Sequence, residues 1–165
     1  MPASSSSIRP FRPDDLPAMQ QIRKAAFSAV FQSFRSIVGE QIYTLGLARS
    51  DSEQAQLLED LCRADSAYRV FVVSIDDVIV GFFSFTIDAA RRTGEIGLNA
   101  VHPDHAGRGI GTEMYAYALA RMKDCGMALA TVGTGGDPSH AAARRAYAKA
   151  GFGPALPSVV LYKVL

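Results

Sequence analysis

Apolar residues recur at three- and four-residue intervals from Leu16 onward, through Met19, Ile22, Ala26 and Val30, which predicts a helix with one buried stripe. Pro13, Asp14 and Asp15 supply its start. A second helical region covers about 36–64. Its interruption at Ala48-Arg49-Ser50-Asp51, where Ser50 or Asp51 can cap a new start ahead of Leu57, Leu58 and Leu61, divides it into two helices. The pattern then turns β-rich. Tyr68 to Ile75 and Val78 to Ile87 flank Asp76-Asp77 and predict a hairpin, and Gly94 to Val101 predicts a third strand after Arg91-Arg92-Thr93. From Gly109 helical spacing returns, with Ile110, Met114, Ala118 and Met122 on one stripe and Gly126 closing it. Met127 to Val132 reads as a strand. Asp137 and Pro138 open a further helix that Gly151 ends, and Val159 to Val164 reads as a last strand. A meander followed by strand, helix and strand predicts an α/β (α+β) fold: a central mixed β-sheet with helices on both faces.

Length and composition narrow the picture. A chain of 165 residues with 48% hydrophobic content suits a single domain over 1–165, with 1–7, Met-Pro-Ala-Ser-Ser-Ser-Ser, expected as a frayed start. A net charge of +1 provides no bulk basic field, which argues against a nucleic-acid partner. The start lacks an apolar signal core and no apolar run reaches membrane-spanning length, so a cytoplasmic protein without a membrane partner is expected. Cys62 and Cys125 lack tight spacing and read as small buried side chains rather than a disulfide.

Candidate chemistry concentrates in Val101-His-Pro-Asp-His-Ala-Gly-Arg-Gly-Ile-Gly-Thr112, where three glycines lie between a strand and a helix start. Such a loop presents backbone N–H groups to an anion, and phosphate is the natural occupant. The spacing excludes the dinucleotide fingerprint, because Gly107-x-Gly109 runs on to Thr112 and Gly109-x-Gly111 to Met114. A P-loop is excluded too, since the chain contains no Gly-Lys pair. Gly133-Thr134-Gly135-Gly136 meets Pro138 and reads as a turn into a helix.

The loop resembles the acyl-CoA loop of the GNAT superfamily of CoA-dependent N-acetyltransferases, [QR]-x-x-G-x-[GA] after a strand ending in Val-x-Pro. Gly109 and Gly111 take the two small positions, and Val101 and Pro103 supply the strand ending. Ala106 departs from the first position, and Arg108 is the nearest substitute for the lost polar contact. His140-Ala-Ala-Ala-Arg-Arg-Ala-Tyr-Ala-Lys-Ala-Gly-Phe152 resembles the downstream motif N-x-x-A-x-x-x-Y-x-K-x-G-F, with Ala143, Tyr147, Lys149, Gly151 and Phe152 on the pattern and His140 in place of Asn. Ile8 to Met19 is similar to the first strand running into the first helix. The resemblance covers roughly 8–152 in order.

It implies a GNAT-like fold and transfer of the acetyl group of acetyl-CoA to a primary amine by direct attack in a ternary complex. The backbone of Gly107, Arg108, Gly109, Gly111 and Thr112 would hold the pyrophosphate, and the pantetheine arm would lie along the strand carrying Asn99 and Val101, with His140 and Ala143 lining it. Tyr147 would be the general acid, as a phenol with an ordinary pKa of about 10 stays protonated at neutral pH. Packing against the sheet is its other reading. Glu95 is the candidate base, on one face with Gly97, Asn99 and Val101 if no bulge intervenes; a bulge would reverse the face, and a solvated carboxylate is the alternative. His140 could line the arm, move a proton or stand as a first-turn residue. Arg144, Arg145 and Lys149 could reach the adenosine phosphate or simply be solvated. His102-Pro-Asp-His105 offers metal-ligand residue types without a distant Cys or His cluster, so no metal is expected. Phe27, Phe31, Phe34 and Tyr43 are candidates for shaping the acceptor site, and the acceptor is a small-molecule amine or a protein amine. A homodimer is compatible with the sequence. The competing class is a non-catalytic acyl-CoA-binding regulatory or interaction domain of the same fold.

Overall fold

The hairpin predicted at Asp76-Asp77 forms with both aspartates in the left-handed region, at φ 49° and 63°, the two-residue geometry whose twist suits antiparallel strands. It joins β2 (Arg69–Ile75) to β3 (Val78–Asp88) in a computed structural model that describes residues 6–165. Five strands align in chain order: β1 (Ser6–Pro10), β2, β3, β4 (Thr93–Val101) and β5 (Leu129–Val132). The first four are antiparallel, and β5 runs parallel to β4. The sheet is therefore mixed, as expected.

Both faces are covered. Phe71, Val73, Phe83, Phe85 and Ile96 pack under α4 (Ile110–Asp124) and α5 (Ala141–Lys149), meeting Met114, Ala118, Met122 and Tyr147. Val70, Val72, Phe82 and Ala100 pack under α1 (Leu16–Val38) and α3 (Ser50–Leu61), meeting Met19, Ile22, Leu58 and Leu61. The α1 helix continues past Val30 and breaks at Gly39, whose φ of 81° favours glycine. The single turn α2 (Glu40–Ile42) and a π-helical stretch, Tyr43–Leu47, then lead to α3. Neither Ser50 nor Asp51 caps α3 with its side chain. Asp51 instead pairs at 2.8 Å with the buried guanidinium of Arg23, whose charge needs a partner more than the helix start needs a cap.

A bulge in β4 decides which residues share a face. Phe83 pairs with Asn99 and Phe85 with Ile96, so Gly97 and Leu98 together stand opposite Ser84. A Cβ on Gly97 would fall 2.6 Å from the Tyr68 ring and 2.7 Å from Ser84 Oγ. Asn99 thus joins Ile96 on the α4–α5 face, and Glu95 is left on the other.

Two expectations are corrected. Ser6 and Ser7, expected in the frayed start, pair with Ile75 and Ser74 in β1; the rest of that start, 1–5, lies outside the described residues. The last strand at 159–164 does not form, because Pro154 and Pro157 hold the approach extended and leave the run off the sheet. Cys62 and Cys125 are free, and burial, helped by nearby Asp15, pushes the Cys62 thiol up to about 11. Among the described residues no helix is long and apolar enough to cross a membrane.

Candidate active site

The parallel pairing of β4 with β5 runs only from Thr93–Leu129 to Ile96–Val132. Beyond Ile96, β4 continues to Val101 with no strand on that side among the described residues, so its backbone edge is open to an extended ligand. The chain leaving β5 is held away from it. Arg144 donates to the carbonyls of Gly135 (2.6 Å) and Asp137 (2.9 Å), fixing the 133–137 turn. Asp137 then gathers polar groups: it accepts from Ser33 Oγ at 2.9 Å, from the Ser139 N–H at 3.1 Å, from the Ser139 hydroxyl, and contacts His140 Nδ1 at 2.6 Å. Burial opposes its ionisation, but the bonds from Ser139, His140 and Ser33 prevail and hold the carboxyl well below the usual range. The His140 ring stacks on Phe34 at 6.1 Å, which brings α1 over the gap.

At the far end of β4 lies the glycine loop. Gly109, at φ 85°, is the residue before α4, and no side chain caps that helix. The first turn closes through Glu113 N–H to the Gly109 carbonyl at 3.0 Å, leaving the amides of Ile110, Gly111 and Thr112 directed outward. Cβ atoms on Gly107 or Gly109 would meet nothing within 4 Å, and one on Gly111 nothing closer than 3.8 Å. This cradle and the open strand edge fit the pyrophosphate and the amide-bearing arm of CoA. Arg108 bonds the Asp104 carbonyl at 3.1 Å and lines a cavity of about 570 Å³ together with Ser6, His105 and Glu113, turned toward β1 and the β2–β3 turn. His105 Nδ1 is buried there without a partner.

Between these two ends Tyr147 is brought onto β4. Its hydroxyl oxygen accepts from Asn99 Nδ2 at 3.2 Å, and Asn99 Oδ1 accepts from the Tyr115 hydroxyl at 2.8 Å. The two rings lie 4.5 Å apart, Phe152 stands edge-on to Tyr147 at 5.9 Å, and Ala143 packs into the same cluster. Burial first, and Tyr147 beside it second, push the Tyr115 phenol far above its ordinary value, so it remains a donor. Sequence reading missed Tyr115. Its signal was the i, i+4 spacing from Gly111, which places a hydroxyl on the loop-facing side of α4.

The remaining candidates divide. Asn99, Val101, Ala143 and Tyr147 come together, His140 sits above them at the start of α5, and Glu95 lies exposed on the opposite face beside Thr131. Phe27, Phe31 and Phe34 form a row on α1 with neighbouring rings 6.3 Å apart, and Arg35 covers the Tyr43 ring at 4.5 Å. Arg145 and Lys149 are exposed, whereas Arg144 serves the turn. No group of three or more His, Cys, Asp or Glu residues is arranged for a metal among the described residues.

The sequence matches the Acetyltransferase (GNAT) family over residues 19–152, and the chain belongs to that family. No curated protein matches it. Solved structures do. The PaiA N-acetyltransferase from Thermoplasma acidophilum in complex with coenzyme A superposes with a TM-score of 0.69 at 18% identity, covering 90% of each chain. The ribosomal-protein-S18-alanine N-acetyltransferase from Escherichia coli gives 0.64 at 18% identity, over 92% of this chain and 80% of that one. An aminoglycoside acetyltransferase from an uncultured soil metagenomic sample gives 0.61 at 20% identity, over 97% and 96%. At these identities the likeness is one of fold.

Proposed function

We propose that this protein is an N-acetyltransferase that moves the acetyl group of acetyl-CoA to a primary amine by direct attack in a ternary complex. The observation that carries the reading is the Tyr115–Asn99–Tyr147 chain at the open edge of β4. Acetyl-CoA, when bound, supplies the thioester and the sulfur that must leave. The amides of Ile110, Gly111 and Thr112 hold the pyrophosphate, and the unpaired edge from Gly97 to Val101 aligns the arm. Tyr147 accepts from Asn99, so its own hydrogen is free to be donated to the sulfur.

Glu95 takes the amine proton, through water, from the other face of the sheet. The bulge is what separates the two, because it leaves Glu95 on one face of β4 and Asn99, the donor to Tyr147, on the other. His140, fixed by Asp137, lines the entry between α1 and α5. The amine, small or protein-borne, enters past the Phe27–Phe34 row. Acetyl-CoA consumption over a broad amine panel, wild type against Tyr147→Phe, tests the proposal. Tight acetyl-CoA binding with no transfer to any amine would instead establish a regulatory acyl-CoA-binding domain.

A further inference from the structure

On the β1 side of the glycine loop, across the sheet from the open edge of β4, lies the cavity of about 570 Å³ between β1, the β2–β3 turn and the start of α4. Its size falls within the range of small-molecule sites, roughly 300–1,000 Å³. Its wall carries charges of both signs. Arg108 brings a guanidinium from the loop, and Glu113 brings a carboxylate from the first turn of α4. The Ser6 hydroxyl bonds both oxygens of that carboxylate, at 2.7 and 2.6 Å, so β1 holds it in place. Arg108 commits Nη2 to the Asp104 carbonyl at 3.1 Å. The two opposite charges share one cavity without pairing with each other.

Those charges decide the occupant. A phosphate, which suits the amides on the other side of the loop, would meet the carboxylate of Glu113 here, and Asp76 lines the same cavity. A simple cation would meet Arg108. A molecule that carries an ammonium and a carboxylate close together satisfies both groups. Ile75, Val78 and Ile110 add apolar surface to the wall, which suits an aliphatic chain. His105 completes the wall, with a buried Nδ1 that no protein group engages among the described residues.

We propose that this cavity binds a free α-amino acid with an aliphatic side chain, its carboxylate on Arg108 and its ammonium on Glu113, and that the bound amino acid is an effector of the glycine loop. Arg108 stands between Gly107 and Gly109, at φ 75° and 85°, so engaging its side chain restricts the segment that leads into the α4 amides. Glu113 anchors the same segment from the other end, through its N–H to the Gly109 carbonyl at 3.0 Å. Ordering the loop before acetyl-CoA arrives lowers the entropy lost on binding, so the affinity for acetyl-CoA rises, and by linkage acetyl-CoA tightens the amino acid by the same factor. The amino-acid site does not depend on the acetyl-transfer reading, whereas its effect on the loop rests on the acetyl-CoA cradle.

Calorimetry of the full chain without acetyl-CoA tests the site. Leucine should bind, while isoamylamine, which lacks its carboxylate, and isocaproate, which lacks its ammonium, should bind roughly tenfold or more weakly. Arg108→Gln and Glu113→Gln should each weaken leucine by a similar factor while the far-UV spectrum is retained. No binding of leucine, equal binding of the three probes, or unchanged affinity in either variant overturns the proposal; the last result would place leucine in the acceptor site. Should a glutamine variant fail to fold, Val78→Asp replaces it: a carboxylate in the apolar wall should weaken leucine likewise, and unchanged affinity counts against the site. Titrating acetyl-CoA with and without saturating leucine tests the effect on the loop. A rise in affinity of about fivefold or more, absent in Glu113→Gln, supports it. An acetyl-CoA affinity that leucine leaves unchanged overturns the effector role alone. Failure of acetyl-CoA to bind in either condition overturns the cradle and the effector role with it, while the amino-acid site stands or falls on the leucine titrations.

Discussion

An amide N–H of Asn99 points at the hydroxyl oxygen of Tyr147 across 3.2 Å, and its orientation is set from within the strand. The same nitrogen donates to the Gly97 carbonyl at 2.9 Å, which fixes which end of the amide is nitrogen and leaves Oδ1 to accept from Tyr115. Both bonds therefore run toward Tyr147, whose hydrogen must point elsewhere.

Tyr147→Phe is expected to lower kcat by roughly a hundredfold or more with little change in acetyl-CoA affinity. Asn99→Ala should lose less, and Tyr115→Phe less again, because Tyr115 acts only by holding the amide. Steady-state rates with calorimetric binding decide the order. Wild-type turnover in Tyr147→Phe would leave that side chain a packing role alone.

Gly111→Val should abolish acetyl-CoA binding without unfolding the protein. Its Cβ would stand 3.8 Å from the Tyr115 ring and 3.9 Å from Ala146, in ordinary contact, so the fold accepts a side chain that crowds the helix start where the amides would meet the pyrophosphate. Gly109→Val is a poorer probe, since φ 85° strains any side chain there. Calorimetry showing wild-type affinity in folded Gly111→Val would place the pyrophosphate elsewhere.

If Glu95 is the base, the acidic limb of kcat/KM against pH should contain an ionisation that disappears in Glu95→Gln. Measuring two amines of different pKa separates the substrate's own titration. Retention of the limb in Glu95→Gln and its loss in His140→Gln would move the base to the His140–Asp137 pair.

Stability should depend on pH through Asp15. The Arg9 guanidinium, bonded to it at 2.7 and 2.8 Å, lowers its pKa against the opposing effect of burial, and the Arg12 N–H adds to the lowering. A carboxyl with a folded pKa below its unfolded value of about 3.9 stabilises fully above that value, and the contribution fades as pH falls through the folded pKa. Asp15→Asn should cost about 1–3 kcal/mol near neutral pH, shrinking below about pH 4. Urea titrations of both proteins across that range check it; a pH-independent difference would assign the cost to packing.

Periodicity alone located α1, the β2–β3 hairpin, β4 and α4, because each buries one regular stripe. It could not locate the β4 bulge, which exists only in the register with β3: nothing between Thr93 and Val101 except Gly97 marks it. Glu95 was therefore grouped with Asn99 under simple alternation and lies on the other face. The run 159–164 shows the converse. Its residues favour a strand, but a strand also needs a neighbour, and local composition does not supply one. Tyr115 escaped because a tyrosine beside a helix stripe looks like any core aromatic until its partner on β4 is known.

The bulge also means that side-chain direction along β4 depends on how two residues share one partner. Straightening it, so that Gly97 and Leu98 each faced a separate residue of β3, would act like a frameshift in side-chain direction. Asn99 and Val101 would be thrown toward α1, Ala100 would be thrust under α4, and Tyr147 would lose its donor with every residue of the site still present. Deleting one of the two bulge residues would instead restore strict alternation and leave Asn99 on the face of Ile96, so a chain shortened by one residue here should keep the site that a straightened strand of the same length would lose.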